Sequence, residues 1–382
     1  MELGLFIDDF MGATTAEQEH QVVGRLGAAA ASLWHLIEND LESTVAEHKS
    51  ILLASNVSLL GKLRRAFGRH AGAAQPSAPN LGIDFAVGRR RAHKSSTRAL
   101  RTRQAKFKRR CRRLLSLKRA GLNMREVFIT GLQAFSHYGA EVVGLDTAQL
   151  QQAHAQYLQM ASTTVKSSAK NLALLALGDP IWRQGLAPAL TWASIVWKSS
   201  NHRDFQAYID LPRLGALAGP VVQSLPGSWG AVRGPLGAAS CSLARVGWRF
   251  LQPFLLESDV GVQFALTTTP PAMLNYHLQV SWTRMRGRAA ASSLGIDGQI
   301  DAMQIQAALR GSGSSGYAAL LRAYGTQSIW SHHRLYAVGY DVVRGCPLCG
   351  ATTDSLHHRL VECAHMEGLR QEFLQPAGLT IL

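Results

Sequence analysis

Apolar and polar positions along this chain alternate with two periods, and the changes of period mark its elements. Leu5-Phe6-Ile7 and Phe10-Met11 form an apolar run interrupted by Asp8 and Asp9. A carboxylate pair inside a buried strand is costly unless something binds it. The run is therefore expected to be a tight strand–turn–strand with both Asp residues at its tip. Thr14-Thr15-Ala16-Glu17 has capping-box spacing with Thr14 as the cap. Val22, Val23, Leu26, Ala30, Leu33, Trp34, Ile37 and Leu41 then recur mostly every three or four residues and predict an amphipathic helix. Short strands are expected at Ile51–Ala54 and Leu81–Phe85, with a surface loop over Ala71–Asn80.

From Thr97 to Ala120 there is no Gly or Pro and good helix formers dominate, which predicts a helix. Leu100, Phe107, Cys111, Leu114 and Leu115 give it a thin apolar docking stripe. Residues 122–200 read as helical, with Asp146 capping a segment that carries Leu150, Ala153, Tyr157, Met160 and Val165. Asp179-Pro180 breaks the pattern before Ile181–Trp197. Ten of the thirty residues from Leu211 to Ser240 are Gly or Pro, which predicts a loop-rich linker or boundary. Further helices are expected around Trp248 and over Asp297–Arg310, and Gly311–Gly316 reads as a short linker. The fold class this predicts is α+β, predominantly helical, divided at 1–88, 89–210, 211–335 and 336–382.

Charge changes the picture most. The net charge is +15, and Arg89–Arg119 holds fifteen Lys or Arg and no Asp or Glu, so this stretch accounts for the whole surplus. A surplus gathered in one stretch points to a polyanionic partner. Arg101, Arg103, Lys106, Lys108, Arg109, Arg110, Arg112 and Arg113 are the candidate phosphate contacts, and binding through them would be salt-dependent and indifferent to sequence. A nuclear-localisation signal or a plain solvated face would use the same residues. No stretch approaches the ~18 uninterrupted apolar residues of a membrane span, so no membrane partner is expected. The N-terminus lacks a basic leader, which predicts an intracellular protein, nuclear or cytoplasmic.

Five Cys residues are too few and too clustered for a disulfide framework and suit a reducing compartment. Cys346-Pro347-Leu348-Cys349 is followed by His357-His358 and Cys363, giving Cys-x2-Cys-x8-His-x4-Cys when His358 is the ligand. Three thiolates and an imidazole suit a closed, structural Zn²⁺ site. Spacing leaves His357 and His365 open as the fourth ligand. A redox Cys-x-x-Cys would leave Cys363 and His358 without a role.

In their order, these motifs resemble the C-terminal part of a non-LTR (LINE-like) retrotransposon reverse transcriptase. Phe6-Ile7-Asp8-Asp9 resembles the family's aromatic-x-Asp-Asp motif, Lys49-Ser50 falls where a lysine follows the palm helix, and Leu81-Gly82-Ile83 resembles the strand before the primer grip. The cysteine cluster, some 340 residues on, is similar to the family's downstream zinc segment. It differs from the retroviral zinc knuckle by a gap before His four residues longer. The resemblance implies a partial palm at 1–88, a basic thumb-like region at 89–210, a linker and helical region at 211–335 and a zinc module at 336–382. It implies Asp8 and Asp9 as Mg²⁺ ligands and Lys49 as a catalytic residue beside the triphosphate. Only seven residues precede Asp8 here, so the family's fingers and first palm Asp are missing. The expectation is a polymerase fragment that binds RNA or RNA–DNA and does not extend a primer unless the missing N-terminal part completes it. The alternative is a non-catalytic, zinc-containing nucleic-acid-binding protein.

Overall fold

A computed structural model describes residues 2–6, 9–14, 16–45, 50–75, 77–80, 83–86, 98–161, 170–206, 209–223, 229–232, 234–293, 297–311, 330–355, 357–368 and 371. Its N-terminal part is built from small sheets and two helices. Strands β1 (Glu2–Phe6) and β2 (Asp9–Ala13) pair antiparallel with Phe6 opposite Asp9, the expected hairpin. Helix α1 (Glu19–His35) follows. Strand β3 (Ile51–Leu52) leads into α2 (Val57–Phe67) and pairs parallel with β4 (Ala73–Ala74). A second hairpin joins β5 (Ser77–Asn80) to β6 (Ile83–Ala86). Among the described residues these strands form three separate two-stranded sheets.

Three sequence expectations change here. Thr14 does not cap α1: the helix starts at Glu19, and the preceding Gln18 makes no side-chain cap. Glu19 instead accepts hydrogen bonds from Asn56 Nδ2 (3.0 Å), Ser58 Oγ (3.2 Å) and Lys62 Nζ (2.6 Å), so contacts with the next helix set the start. That helix, α2, lies in a stretch for which the sequence suggested no helix, and Asn56 caps it by accepting from the Leu59 amide at 2.8 Å. The expected surface loop at 71–80 supplies β4 and β5. Val22, Leu52, Leu59 and Leu63 form the buried cluster of this part.

The larger body is helical. Helix α3 (Arg98–Arg119) is followed by three short turns, α4 (Arg125–Val127), α5 (Ala134–Ser136) and α6 (Ala140–Val143). Next come α7 (Thr147–Ala161), α8 (Lys170–Leu177), α9 (Trp182–Asn201) and α10 (Arg203–Gln206). The break at Asp179-Pro180 separates α8 from α9, as expected. The loop-rich linker expected at 211–240 is instead two helices, α11 (Leu211–Gln223) and α12 (Gly234–Ala244). Pro212 and Pro235 sit at the second position of their helices, where a missing N–H costs nothing. The small side chains of α12 serve packing rather than looping: Gly237, Ala238 and Ala239 are buried, and α12 lies against α9.

Trp248 is not in a helix. Gly247, at φ +77°, turns the chain out of α12 into a meander of β7 (Arg249–Gln252), β8 (Leu255–Glu257) and β9 (Gln263–Ala265). Trp248 then stacks on Phe264 with ring centroids 5.1 Å apart. Helix α13 (Pro271–Ser293), absent from the sequence reading, lays Leu274, Leu278 and Trp282 into the core. Gly185 on α9 admits Trp282, since a Cβ there would lie 2.6 Å from the indole. A single cluster of buried side chains runs from Phe107 to Trp282 and so crosses position 210. Helix α14 (Ala302–Gly311) starts five residues later than its expected span of Asp297–Arg310, and α15 (His332–Ala337) opens the C-terminal module. No described helix is long and apolar enough to cross a membrane.

Candidate metal centre and basic helix

Backbone geometry builds the cysteine knuckle. The Cys346 amide donates to Ala351 O at 2.8 Å, and the Gly350 amide returns to Cys346 O at 3.0 Å. Gly350 takes φ +75°, a conformation in which side chains are rarely found. Gly345 is equally constrained, because a Cβ there would meet Ala351 O at 2.8 Å. This tight loop turns Cys346 and Cys349 toward one point. A turn at 358–362, closed by the Cys363 amide donating to His358 O at 2.7 Å, brings up the other two residues.

The ligand atoms of Cys346, Cys349, His358 and Cys363 all lie within 4.8 Å of one another. Cys346 Sγ and Cys363 Sγ are 3.9 Å apart, and Cys349 Sγ lies 3.1 Å from His358 Nε2. Two thiolates on a tetrahedral ion at about 2.3 Å are separated by roughly 3.8 Å, so the sulfur pair has the edge such an ion needs. These four residues can hold a metal ion. Among the described residues no other group of three or more His, Cys, Asp or Glu side chains converges in this way.

The structure selects His358 from the three candidates. His358 is buried, whereas His357 and His365 are exposed. With Nε2 facing the cysteines, His358 Nδ1 lies 3.4 Å from Glu362 Oε2, the outer partner that fixes a ligating imidazole's tautomer. Burial raises the Cys346 thiol, yet the amides of Cys349 and Leu348 and the neighbouring Cys349 and His358 outweigh it and bring it down to about 7. The Ala351 amide lowers Cys349, but burial and the facing thiols of Cys363 and Cys346 hold it above its ordinary value. One ligand is thus primed as thiolate, and its neighbour sheds its proton when a cation arrives.

Sequence reasoning missed the brace around this centre. Asp354 is fully buried, receives Arg359 Nε and Nη2 at 2.6 Å each, and accepts the His332 amide at 2.6 Å. It ties α15, the knuckle and the turn that carries His358 into one unit. Burial raises the Asp354 carboxyl, but Arg359 and the His332 amide more than offset this and hold it below its ordinary range. A buried acid five residues before an arginine has no spacing signature that would have revealed it.

Helix α3 is the second candidate. Phe107, Cys111 and Leu114 point into the core, and Phe107 meets Phe128 at 6.4 Å between ring centroids. Burial pushes the Cys111 thiol up to about 11, so it acts as an apolar side chain. Three basic side chains contact the body: Arg103 donates to Tyr138 O at 2.8 Å, Arg110 lies 4.4 Å over the Phe135 ring, and Lys118 donates to Gln159 O. Lys106, Lys108, Arg109, Arg112 and Arg113 lie exposed on the remaining faces. Arg101 belongs to α3 by its backbone.

Asp9 opens β2 opposite Phe6. Asp8 and Lys49, and the basic residues from Arg89 to Lys94, lie outside the described residues. The structure therefore brings together the four cysteine and histidine ligands and gathers the basic face, and leaves the proposed Mg²⁺ pair unsupported. Compared with protein-family models, curated proteins and solved structures, the chain matches none.

Proposed function

We propose that this chain binds RNA or an RNA–DNA duplex through α3, and that Cys346, Cys349, His358 and Cys363 hold a structural Zn²⁺. The observation that carries the reading is a helix with one stripe anchored in the core and exposed cations on its other faces, Lys106, Lys108, Arg109, Arg112 and Arg113 among them. No carboxylate lies anywhere in Arg89–Arg119 to neutralise them. Anchoring fixes the cations in a row, so a phosphate backbone meets them without the cost of ordering a floppy segment. Three soft sulfurs and one nitrogen favour zinc over hard cations, and four protein ligands leave no open position for catalysis.

In this reading the N-terminal hairpin with Asp8-Asp9 is the remainder of a reverse-transcriptase palm, and α3 with the helices after it is the thumb-like region. The chain binds the duplex and does not extend it by itself. Mg²⁺ would enter only with a complete palm, and catalysis would then be metal-assisted nucleotidyl transfer. The binding claim is independent of that ancestry and holds equally for a non-catalytic zinc protein.

A salt titration of binding to an RNA–DNA duplex tests it. Replacing Arg109, Arg112 and Arg113 by Gln is expected to reduce the slope of log K against log salt by about 2.7. Between 50 and 200 mM salt the wild-type chain then loses roughly forty-fold more affinity than the variant. An unchanged slope sinks the proposal.

A further inference from the structure

The C-terminal module shows its aromatic side chains to solvent. Trp330, Tyr336 and Tyr340 are 43%, 56% and 61% exposed, and Leu348, at the knuckle tip between the two cysteines, is 44% exposed. Single exposed apolar residues are ordinary, but a contiguous group marks a contact surface. Trp330 and Tyr340 form such a group, packing edge-on with centroids 6.4 Å apart and planes at 62°. The edge contact braces the Tyr340 ring and leaves most of its surface open. Arg334 sits 5.8 Å over Trp330, so a cation borders the rings. Of the nearby carboxylates, Asp354 is taken by Arg359, and Glu362 by His357 and His358. Asp341, next to Tyr340 in the chain, is exposed.

We propose that Trp330, Tyr336 and Tyr340 form a stacking platform for unpaired bases. The site deepens the nucleic-acid reading of α3 and rests on it: the helix follows phosphates of either strand state, while the module selects single-stranded segments. Every base has a π-face, so stacking on fixed rings captures unpaired bases whatever their sequence. Paired bases, stacked inside a duplex, have no face to offer. The bordering Arg334 meets a phosphate between stacked bases, a complementarity that an apolar protein partner would not need.

The experiment compares a short single-stranded RNA with a blunt RNA–DNA duplex, titrated against the zinc-loaded chain carrying Tyr336→Ala with Tyr340→Ala. Single-strand affinity is expected to fall roughly tenfold per ring, with duplex affinity within about twofold of wild type. Tyr340→Phe, which keeps the ring, restores Tyr340's share. Equal losses on both ligands, or no loss on either, overturn the platform. Unchanged affinities together with a shift from a larger species to monomer in sedimentation assign the face to a protein contact and also overturn it. If the alanine variant fails to retain zinc, bromouracil-substituted RNA crosslinked to the wild-type chain decides: adducts on Trp330, Tyr336 or Tyr340 support the proposal, and adducts elsewhere alone refute it. Neutralising Arg109, Arg112 and Arg113 probes α3 separately, so failure of the helix reading and failure of the platform are distinguishable.

Discussion

Between Phe107 and Trp282 the buried side chains are mostly aliphatic and aromatic, and most of them gather into one cluster across helices and sheet. Between Ser331 and Cys363 the buried set among the described residues is Ser331, Cys346, Asp354, His358 and Cys363, with no aliphatic side chain. The first region folds by removing apolar surface from water. The second is too short and too polar for that. Its centre consists of metal ligands and an ion pair, and its larger apolar residues, such as Tyr340 and Val343, face outward. The contrast teaches that burial in this protein has two sources, and that a cation would replace an apolar core in the module.

Removing the metal is the strongest way to test that contrast. A chelator, or Cys346→Ser, is expected to remove on the order of 10 kcal/mol of apparent stabilisation from the module. Hydrogen exchange should then show lost protection over residues 331–363 and unchanged protection in α7, α9 and α13. Joint unfolding of both regions, or no zinc bound to the wild-type chain, would break the distinction.

The central body has its own buried polar point. Asp179 accepts His154 Nε2 at 2.9 Å, Trp282 Nε1 at 2.9 Å, the Ile181 amide at 3.0 Å and Arg286 Nε at 3.2 Å, linking α7, the start of α9 and α13. Burial raises its carboxyl, but His154, Arg286 and Trp282 outweigh this and hold it below its ordinary value. Asp179→Ala strands a buried guanidinium, at a cost of about 3–5 kcal/mol. Urea unfolding followed through the buried tryptophans would measure this. Bound zinc should stay constant, and a change below about 1 kcal/mol would show the network to be dispensable.

Acid sharpens the comparison by a smaller amount. Burial, reinforced by nearby His154, lowers His137 from 6.5 to about 4, and its Nδ1 has no partner. Between those pH values the unfolded chain binds a proton on His137 that the folded chain does not. Stability contributed there is complete above about pH 6.5 and falls as pH drops toward 4, by about 3 kcal/mol in all. His154, also lowered by burial, acts in the same sense. His137→Gln should flatten the decline in urea melts of the central body, and an identical pH profile would refute the assignment.

Local pattern made the N-terminal hairpin, α1, α3, the break at Asp179 and the cysteine cluster legible, because each is written in adjacent or regularly spaced residues. The start of α1 was not, since Glu19 is held by residues of α2 some forty positions away. The Gly- and Pro-rich stretch at 211–240 misled for a related reason: the small residues that signal loops when exposed also permit close helix packing when buried. Helix α13 was missed because its buried positions are separated by polar ones such as Asn275, Gln279 and Arg286, whose partners lie on other elements.

The sequence by itself determined the basic helix and the three cysteines of the candidate metal site, because charge sign and thiol chemistry belong to residues wherever they stand. Tertiary structure alone decided which histidine joins the cysteines, which cations of α3 remain exposed, and that Asp354 and Asp179 are anchors. Those outcomes depend on distances between residues far apart in the chain, and such distances exist only once the core has formed.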